Sequence, residues 1–206
     1  MPIKPSSYTV DVSNGLLAGA SSKYQKKLSD LSGLYHDQKA FEASLKEQGD
    51  VIVYEVTDHR PSDASGDLIF GVTRMSPGRI GNEFYLTRGH IHALGNRPEI
   101  YRGEAGEGLM LMESPEGETR IVEIRPNTIC YVPPFWIHRS VNTGSTDLVM
   151  SFCYPSDSGQ DYSVIEKTGG MKTRIISDGT GWQAVANTQY RPRSEADIQA
   201  IYNTAG

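Results

Sequence analysis

From residue 51 onward, short apolar runs alternate with clusters of turn-forming residues. The runs predicted as β-strands are 51–57, 68–75, 83–92, 99–102, 108–113, 119–124, 128–132, 137–142 and 146–154. Glycine and proline occur in the gaps, as at residues 76–78 and 114–117, because both residues favour tight turns. Many short strands separated by such turns predict an all-β barrel or double-sheet sandwich.

One segment before these strands has a helical pattern. Residues 37–48 begin with Asp37, which can cap a helix, and Phe41 and Leu45 fall on one helical face. Gly49 follows them, and glycine commonly ends helices. We therefore expect a short helix in an N-terminal extension that packs on the barrel.

The end of the chain contains both kinds of pattern. Residues 171–186 predict a further hairpin, and Ser194 begins a helix that extends to about Tyr202. The expected organisation is a single domain over residues 1–206. Its parts are a barrel core at about 50–170, an N-terminal extension at 1–49, and a C-terminal hairpin and helix at 171–206.

The composition is that of a folded, acidic chain. Hydrophobic residues make up 37% and charged residues 22% of the sequence, which argues against a disordered protein. The formal net charge is −5, and the longest basic run is Lys26 with Lys27. Neither nucleic acid nor a membrane is therefore expected as a partner.

Three further features predict a cytoplasmic protein. No apolar run approaches the ~18 residues of a membrane span. The first residues lack the apolar segment of a signal peptide. Cys130 and Cys153 lie far apart in apolar runs, which predicts two reduced core thiols.

The candidate chemistry begins with two histidines. His90 and His92 are two positions apart, so on a strand their side chains project from one face and can bind one metal ion. Gly95 and Pro98 then indicate a turn. Glu99 begins the next strand, where it can add a carboxylate ligand.

A fourth candidate ligand, His138, opens a later strand, and three of the five histidines thus belong to one set. Three imidazoles and a carboxylate suit Fe(II), Mn, Ni, Co or Zn, and an octahedral field leaves two positions for water or substrate. A closed four-coordinate zinc site is an alternative. Another is that these histidines are simply hydrogen-bonded or solvated side chains. His36 and His59 are expected to be exposed.

Two spacings resemble those of the cupin superfamily. His90-x-His92-x6-Glu99-x6-Gly106 resembles the first cupin motif, and Asn127-x5-Pro133-x4-His138-x3-Asn142 resembles the second. Asn127 and Phe135 stand where cupins often have glycine, and asparagine tolerates the same left-handed turn. The long gap before Glu99, together with residues 131–142 and 153–162, resembles the cupin-type glucose-6-phosphate isomerase family.

The resemblance implies a fold, an activity and a cofactor. The fold is a cupin double-stranded β-helix, a jelly-roll-like barrel, in a homodimer. The activity is interconversion of glucose 6-phosphate and fructose 6-phosphate in glycolysis and gluconeogenesis. The cofactor is one divalent metal ion per subunit, most often Fe(II), with Mn, Ni, Co or Zn as alternatives, and its ligands are His90, His92, Glu99 and His138.

The resemblance also implies substrate contacts. Residues that match the family's phosphate and sugar contacts are Thr73, Thr87, Gly89, Tyr101, Tyr154 and Tyr162. Gln160 stands where characterised members have a histidine, and glutamine can hydrogen-bond but cannot titrate. The catalytic candidates are Glu99, His138 and Tyr162.

The phosphate contacts conflict with a regular strand. Thr87 and Gly89 are on the opposite face from His90 and His92 if residues 83–92 are one strand. A bulge at Arg88 and Gly89 would bring them to the same side, and glycine is where bulges occur. Without a bulge, Gly89 can contribute only its backbone.

The sequence leaves the mechanism and some rival functions open. Glu99 can act as the base of an enediol route, which we favour, or only as a ligand in a hydride route. The same ligand set fits a mannose 6-phosphate isomerase or a metal-dependent oxygenase. A non-catalytic cupin that binds a sugar phosphate or a metal is the alternative from another class.

Overall fold

The computed structural model describes residues 4–205, so residues 1–3 and 206 of the predicted domain lie outside the described residues. The strands are β1 Thr9–Asp11, β2 Leu16–Ala18, β3 Ser22–Lys27, β4 Ile52–His59, β5 Leu68–Met75, β6 Arg79–Ile80, β7 Glu83–Phe84, β8 Glu99–Ala105, β9 Gly108–Glu113, β10 Thr119–Ile124, β11 Ile129–Val132, β12 Ile137–Asn142, β13 Leu148–Pro155, β14 Thr173–Ser177 and β15 Trp182–Ala186. The helices are α1 Gln38–Gln48, α2 Ser163–Glu166 and α3 Glu195–Tyr202, with a 3-10 turn at Leu28–Leu31.

Two antiparallel sheets form the barrel. The larger has the strand order β11-β8-β13-β5-β4-β3, and the smaller has the order β10-β9-β12. The segment after β7 extends the smaller sheet through bridges from Leu86 to Val141 and from His90 to His138. Buried side chains from both sheets form one apolar cluster. The prediction of an all-β, jelly-roll-like barrel is confirmed.

The N-terminal extension supplies a strand as well as the predicted helix. Helix α1 begins after Asp37, whose carboxylate accepts from the amide of Ala40 at 2.9 Å, and it ends at Gly49. Strand β3 pairs with β4 at the edge of the larger sheet. The sequence did not predict β3, because an edge strand with mostly exposed polar side chains carries no apolar alternation.

The prediction of one strand over residues 83–92 is wrong. Only β7 is regular there, and Leu86, His90 and Ile91 form isolated bridges. Gly89 has φ +75°, which glycine adopts easily and which breaks the pleat. The sequence left open whether the strand is regular at Arg88 and Gly89, and the structure shows that it is interrupted there.

The predicted C-terminal hairpin and helix are confirmed. Strands β14 and β15 pair over their whole length. Ser194 caps α3, and its hydroxyl accepts from the amide of Asp197 at 3.2 Å. The Tyr202 ring packs against Phe135 at 5.1 Å between centroids. Among residues 4–205, no helix is both long and apolar enough to span a membrane.

Candidate active site

Backbone pairing brings two candidate ligands side by side. The amides of His90 and His138 each donate to the other residue's carbonyl, at 3.0 and 2.9 Å. The two rings lie 4.4 Å apart between centroids. The turn before β12 makes this approach possible, and in it Phe135 has φ +67° and donates its amide to Gly95 at 2.6 Å.

Glu99, the first residue of β8, lies between two imidazoles. Its Oε2 is 3.0 Å from His138 Nε2 and 3.4 Å from His92 Nε2. All three residues are at most 4% exposed. Burial raises the pKa of Glu99, but hydrogen bonds from His138 and His92 outweigh it and lower that pKa to about 2. The carboxylate is thus ionised at neutral pH.

Neighbouring carbonyls fix the ring orientations. His92 Nδ1 is 2.7 Å from the carbonyl of Arg97, and His138 Nδ1 is 3.1 Å from that of Trp136. The Nε2 atoms therefore face Glu99, in the arrangement by which backbone carbonyls orient metal-binding histidines.

The ligand atoms of His90, Glu99 and His138 lie within 4.8 Å of one another. His92 lies outside this set but touches the same carboxylate. His90 Nε2 is buried without a hydrogen-bond partner among the described residues, and His92 Nε2 has only its long 3.4 Å contact with Glu99. An unpaired imidazole nitrogen and a weakly bonded one beside an ionised carboxylate fit a divalent cation.

One cavity adjoins this cluster, and we call it the first cavity. Its lining includes His90, Glu99 and His138. All seven residues predicted to contact substrate also line it: Thr73, Thr87, Gly89, Tyr101, Tyr154, Gln160 and Tyr162. Thr87 and Gly89 reach the same cavity as His90 because the strand is broken at Gly89.

Gln160 and Tyr162 form a connected pair at the first cavity. The Tyr162 hydroxyl donates to Gln160 Oε1. The Arg88 guanidinium lies 4.3 Å from the Tyr162 ring centroid, a cation–π contact. Burial raises the pKa of Tyr162, so its hydroxyl remains protonated and can donate.

The structure adds cavity residues that the sequence did not single out or could not place. Tyr24, Tyr54 and Asp58 line the first cavity, as do Arg88 and Arg139. The alternation of Tyr54 and Asp58 along β4 was a usable signal. Tyr24 gave none, because β3 itself was not predicted.

The remaining histidines and the cysteines lie outside this site. The expectation that His36 and His59 are exposed is wrong, because both are half-buried. Tyr8 covers His59, with its hydroxyl 2.9 Å from Nε2. Cys130 is buried and Cys153 half-buried, and both are free thiols. Burial raises the pKa of Cys130 to about 11, which keeps its thiol protonated.

Comparison with known proteins gives consistent results. The family model described as glucose-6-phosphate isomerase (GPI) matches residues 25–193. A glucose-6-phosphate isomerase of Sinorhizobium medicae (strain WSM419) is 56% identical over 200 residues, which cover 97% of this chain and 94% of the relative. One from Thermococcus kodakarensis (strain ATCC BAA-918 / JCM 12380 / KOD1) is 42% identical over 85% of this chain and 92% of its own.

A solved structure of oxalate oxidase with glycolate matches 53% of this chain and 55% of its own, at a TM-score of 0.45 and 17% identity. The family model covers most of the chain, and the relatives are similar in sequence over nearly their whole length. The chain therefore belongs to the glucose-6-phosphate isomerase family.

Proposed function

We propose that this protein interconverts glucose 6-phosphate and fructose 6-phosphate and depends on a divalent metal ion. The observation that carries the proposal is the meeting of His90, Glu99 and His138 beside a cavity lined with hydroxyl groups. Family membership supplies the reaction, and the cluster supplies a place for the metal.

The proposed metal ligands are His90, His92, Glu99 and His138. Their donor set suits Fe(II), our first choice, and also Mn, Ni, Co or Zn. When bound, the ion would act as a Lewis acid on the oxygens at C1 and C2 of the sugar. The carbonyls of Arg97 and Trp136 would hold the rings of His92 and His138 in place.

The phosphate is proposed to lie against Thr73, Thr87, Tyr154 and the amide of Gly89. Thr87 Oγ1 already accepts from the amide of Ser140 at 3.0 Å, which leaves its proton for an anion. Burial raises the pKa of Tyr154 to about 12, so its hydroxyl also remains a donor. Gly89 has no side chain, which allows close approach to its amide.

The sugar hydroxyls are proposed to contact Tyr101, Gln160 and Tyr162. Burial raises the pKa of Tyr101 well above its ordinary value, and Glu99, to which its hydroxyl donates, raises it further, so the phenol oxygen remains as an acceptor for a sugar hydroxyl. In the enediol route, the carboxylate of Glu99 takes the C2 proton and returns it at C1. In the hydride route, the hydrogen moves between these carbons within the substrate, and Glu99 serves only as a ligand.

The wider setting is part of the proposal. We infer a single domain that forms a homodimer and works in the cytoplasm, with a phosphosugar as its small-molecule partner and neither nucleic acid nor a membrane as a partner. The acidic net charge of −5 supports the last point.

A coupled assay tests the proposal. Chelator-treated protein is supplied with fructose 6-phosphate and each divalent metal, and glucose 6-phosphate formation is followed. We expect activity that is lost on stripping and restored by metal. His138→Gln should abolish it, whereas His59→Gln, the matched histidine outside the first cavity, should not. Metal binding without formation of glucose 6-phosphate would overturn the proposed reaction, and formation of mannose 6-phosphate instead would identify the alternative isomerase.

A further inference from the structure

A second cavity adjoins β12 beside the first one. Its volume is about 330 Å³, at the lower end of the roughly 300–1,000 Å³ typical of small-molecule sites. Tyr35 and His36, between the 3-10 turn and α1, line one part of it. Strands β7, β12 and β14 contribute Glu83, Arg139 and Arg174. We call this space the second cavity.

Of the charged side chains that line the second cavity, only Arg139 lacks an oppositely charged partner among residues 4–205. Glu83 accepts from Arg174 Nε at 3.0 Å, and Glu166 pairs with Arg88 at 2.6 Å. Arg139 is only 6% exposed, and no carboxylate among residues 4–205 forms an ion pair with it. A buried guanidinium without a counter-charge is unfavourable. A ligand with one negative charge would therefore be favourable in the second cavity, because it would pair with Arg139.

Three buried polar groups around the same space have no acceptor for a proton. Arg139 Nε and His36 Nδ1 form no hydrogen bond with any described residue. Among the same residues, the Tyr35 hydroxyl interacts only with the backbone amide of Leu86, a donor, which leaves its own proton without an acceptor. Guanidinium and phenol groups donate, and an imidazole nitrogen donates in one tautomer. Tyr35 is 2% exposed, so bulk water does not reach its hydroxyl. An oxyanion, whose oxygens accept hydrogen bonds, matches both this donor set and the unpaired charge.

We propose that the second cavity binds a small oxyanion, with Arg139 as its counter-charge and Tyr35 and His36 as hydrogen-bond donors. The ligand carries a phosphate or carboxylate group, since both present acceptor oxygens of the right charge. Arg139 Nη2 already donates to the carbonyl of Arg88 at 2.6 Å, which leaves Nε for the ligand. Arg139 lines both cavities, whereas Tyr35 and His36 line only the second.

Calorimetric titration of the metal-loaded protein with inorganic phosphate tests the proposal. We expect two binding events per chain, one of them at the phosphate position proposed for the first cavity. Tyr35→Phe removes one hydroxyl and should weaken one event about tenfold. Tyr154→Phe should weaken the other. Tyr85→Phe is the matched control, because Tyr85 is buried and lines neither cavity, and both events should persist.

A parallel titration with malonate distinguishes a carboxylate preference from a phosphate preference, since the preferred anion binds more tightly in the event that Tyr35→Phe weakens. Binding of both anions that Tyr35→Phe leaves unchanged would overturn the proposal. A single event sensitive to Tyr35→Phe but not to Tyr154→Phe would support the second cavity and count against the proposed phosphate contact in the first. Crystals soaked with selenate give a test without variants. An anomalous peak within contact of Arg139 and Tyr35 is expected, and its absence refutes the site.

Discussion

The backbone conformation and close packing of Gly89 position the neighbouring candidate metal ligand, His90. Substituting Gly89 with alanine tests this view. The residue has φ +75° and directly precedes His90. A Cβ at this position would lie 2.9 Å from the Cβ of Arg139 and 2.9 Å from Cδ1 of Ile165. Cβ atoms do not normally come so close, so Gly89→Ala must displace β12, α2 or the segment that carries His90.

The expected magnitude has two parts. Alanine at this positive φ costs about 1–2 kcal/mol of unfolding free energy. Crowding a packed interior adds about 1–3 kcal/mol, so the total is about 2–5 kcal/mol. Gly33→Ala isolates the first part, because Gly33 has φ +82° and a Cβ at that position would meet nothing within 4 Å. The effect of a stiffer unfolded chain is common to both variants and cancels in their difference.

Urea unfolding of both metal-free variants measures these free energies, and a metal titration follows each. We expect Gly89→Ala to lose about 1–3 kcal/mol more than Gly33→Ala and to bind metal more weakly, because His90 moves with its neighbour. Equal destabilisation of the two variants, with unchanged metal affinity, would refute the view that close packing at Gly89 positions His90.

Glu99 and Gln160 allow three more tests of the same site. The pKa of Glu99 is lowered from 4.5 to about 2, so metal-free protein should keep this stabilisation above pH 4.5 and lose about 3 kcal/mol as the pH falls toward 2. Urea unfolding of Glu99→Gln should lack that slope. Turnover in D2O should place deuterium at C1 or C2 in the enediol route, where a proton held by a base exchanges with solvent, and not in the hydride route, which mass spectrometry of the product decides. Gln160→His should add a dependence of kcat/KM on pH near 6.5, and an unchanged pH–rate profile would show that residue 160 does not take part in proton transfer.

Much of the fold could be predicted because its local signals are strong. The bounds of β5, β9, β10 and β12 match the predicted ranges, since each combines an apolar run with flanking turn residues. The same reasoning failed where tertiary context decides. Strand β3 is held by pairing with β4 rather than by its own sequence, and the run at 83–92 looks like one strand until Gly89 interrupts it.

In the candidate site, too, some residues could be grouped from the sequence alone and others only from the structure. The spacing of His90, His92 and Glu99 is local, so the sequence alone could group them. Only the bridge between His90 and His138 shows how the fourth candidate ligand reaches them. The second cavity gave no sequence signal, because Tyr35 and Arg139 are 104 positions apart by residue number and Tyr35 belongs to no recognisable motif.

The C-terminal helix, for which the sequence offered no role beyond packing, also supports the candidate ligands. Phe135 adopts φ +67°, a conformation that costs a bulky residue about 1–3 kcal/mol. The hydrogen bond from its amide to the carbonyl of Gly95 and the contact of its ring with Tyr202 offset that cost. Thr204 Oγ1 in turn accepts from the amide of Gly95 at 3.0 Å. The turn before His138 and the loop between His92 and Glu99 are thus held together by the end of the chain, which lies beyond the part that the family model matches. The departure from glycine at residue 135 is therefore stabilised by a segment outside the barrel.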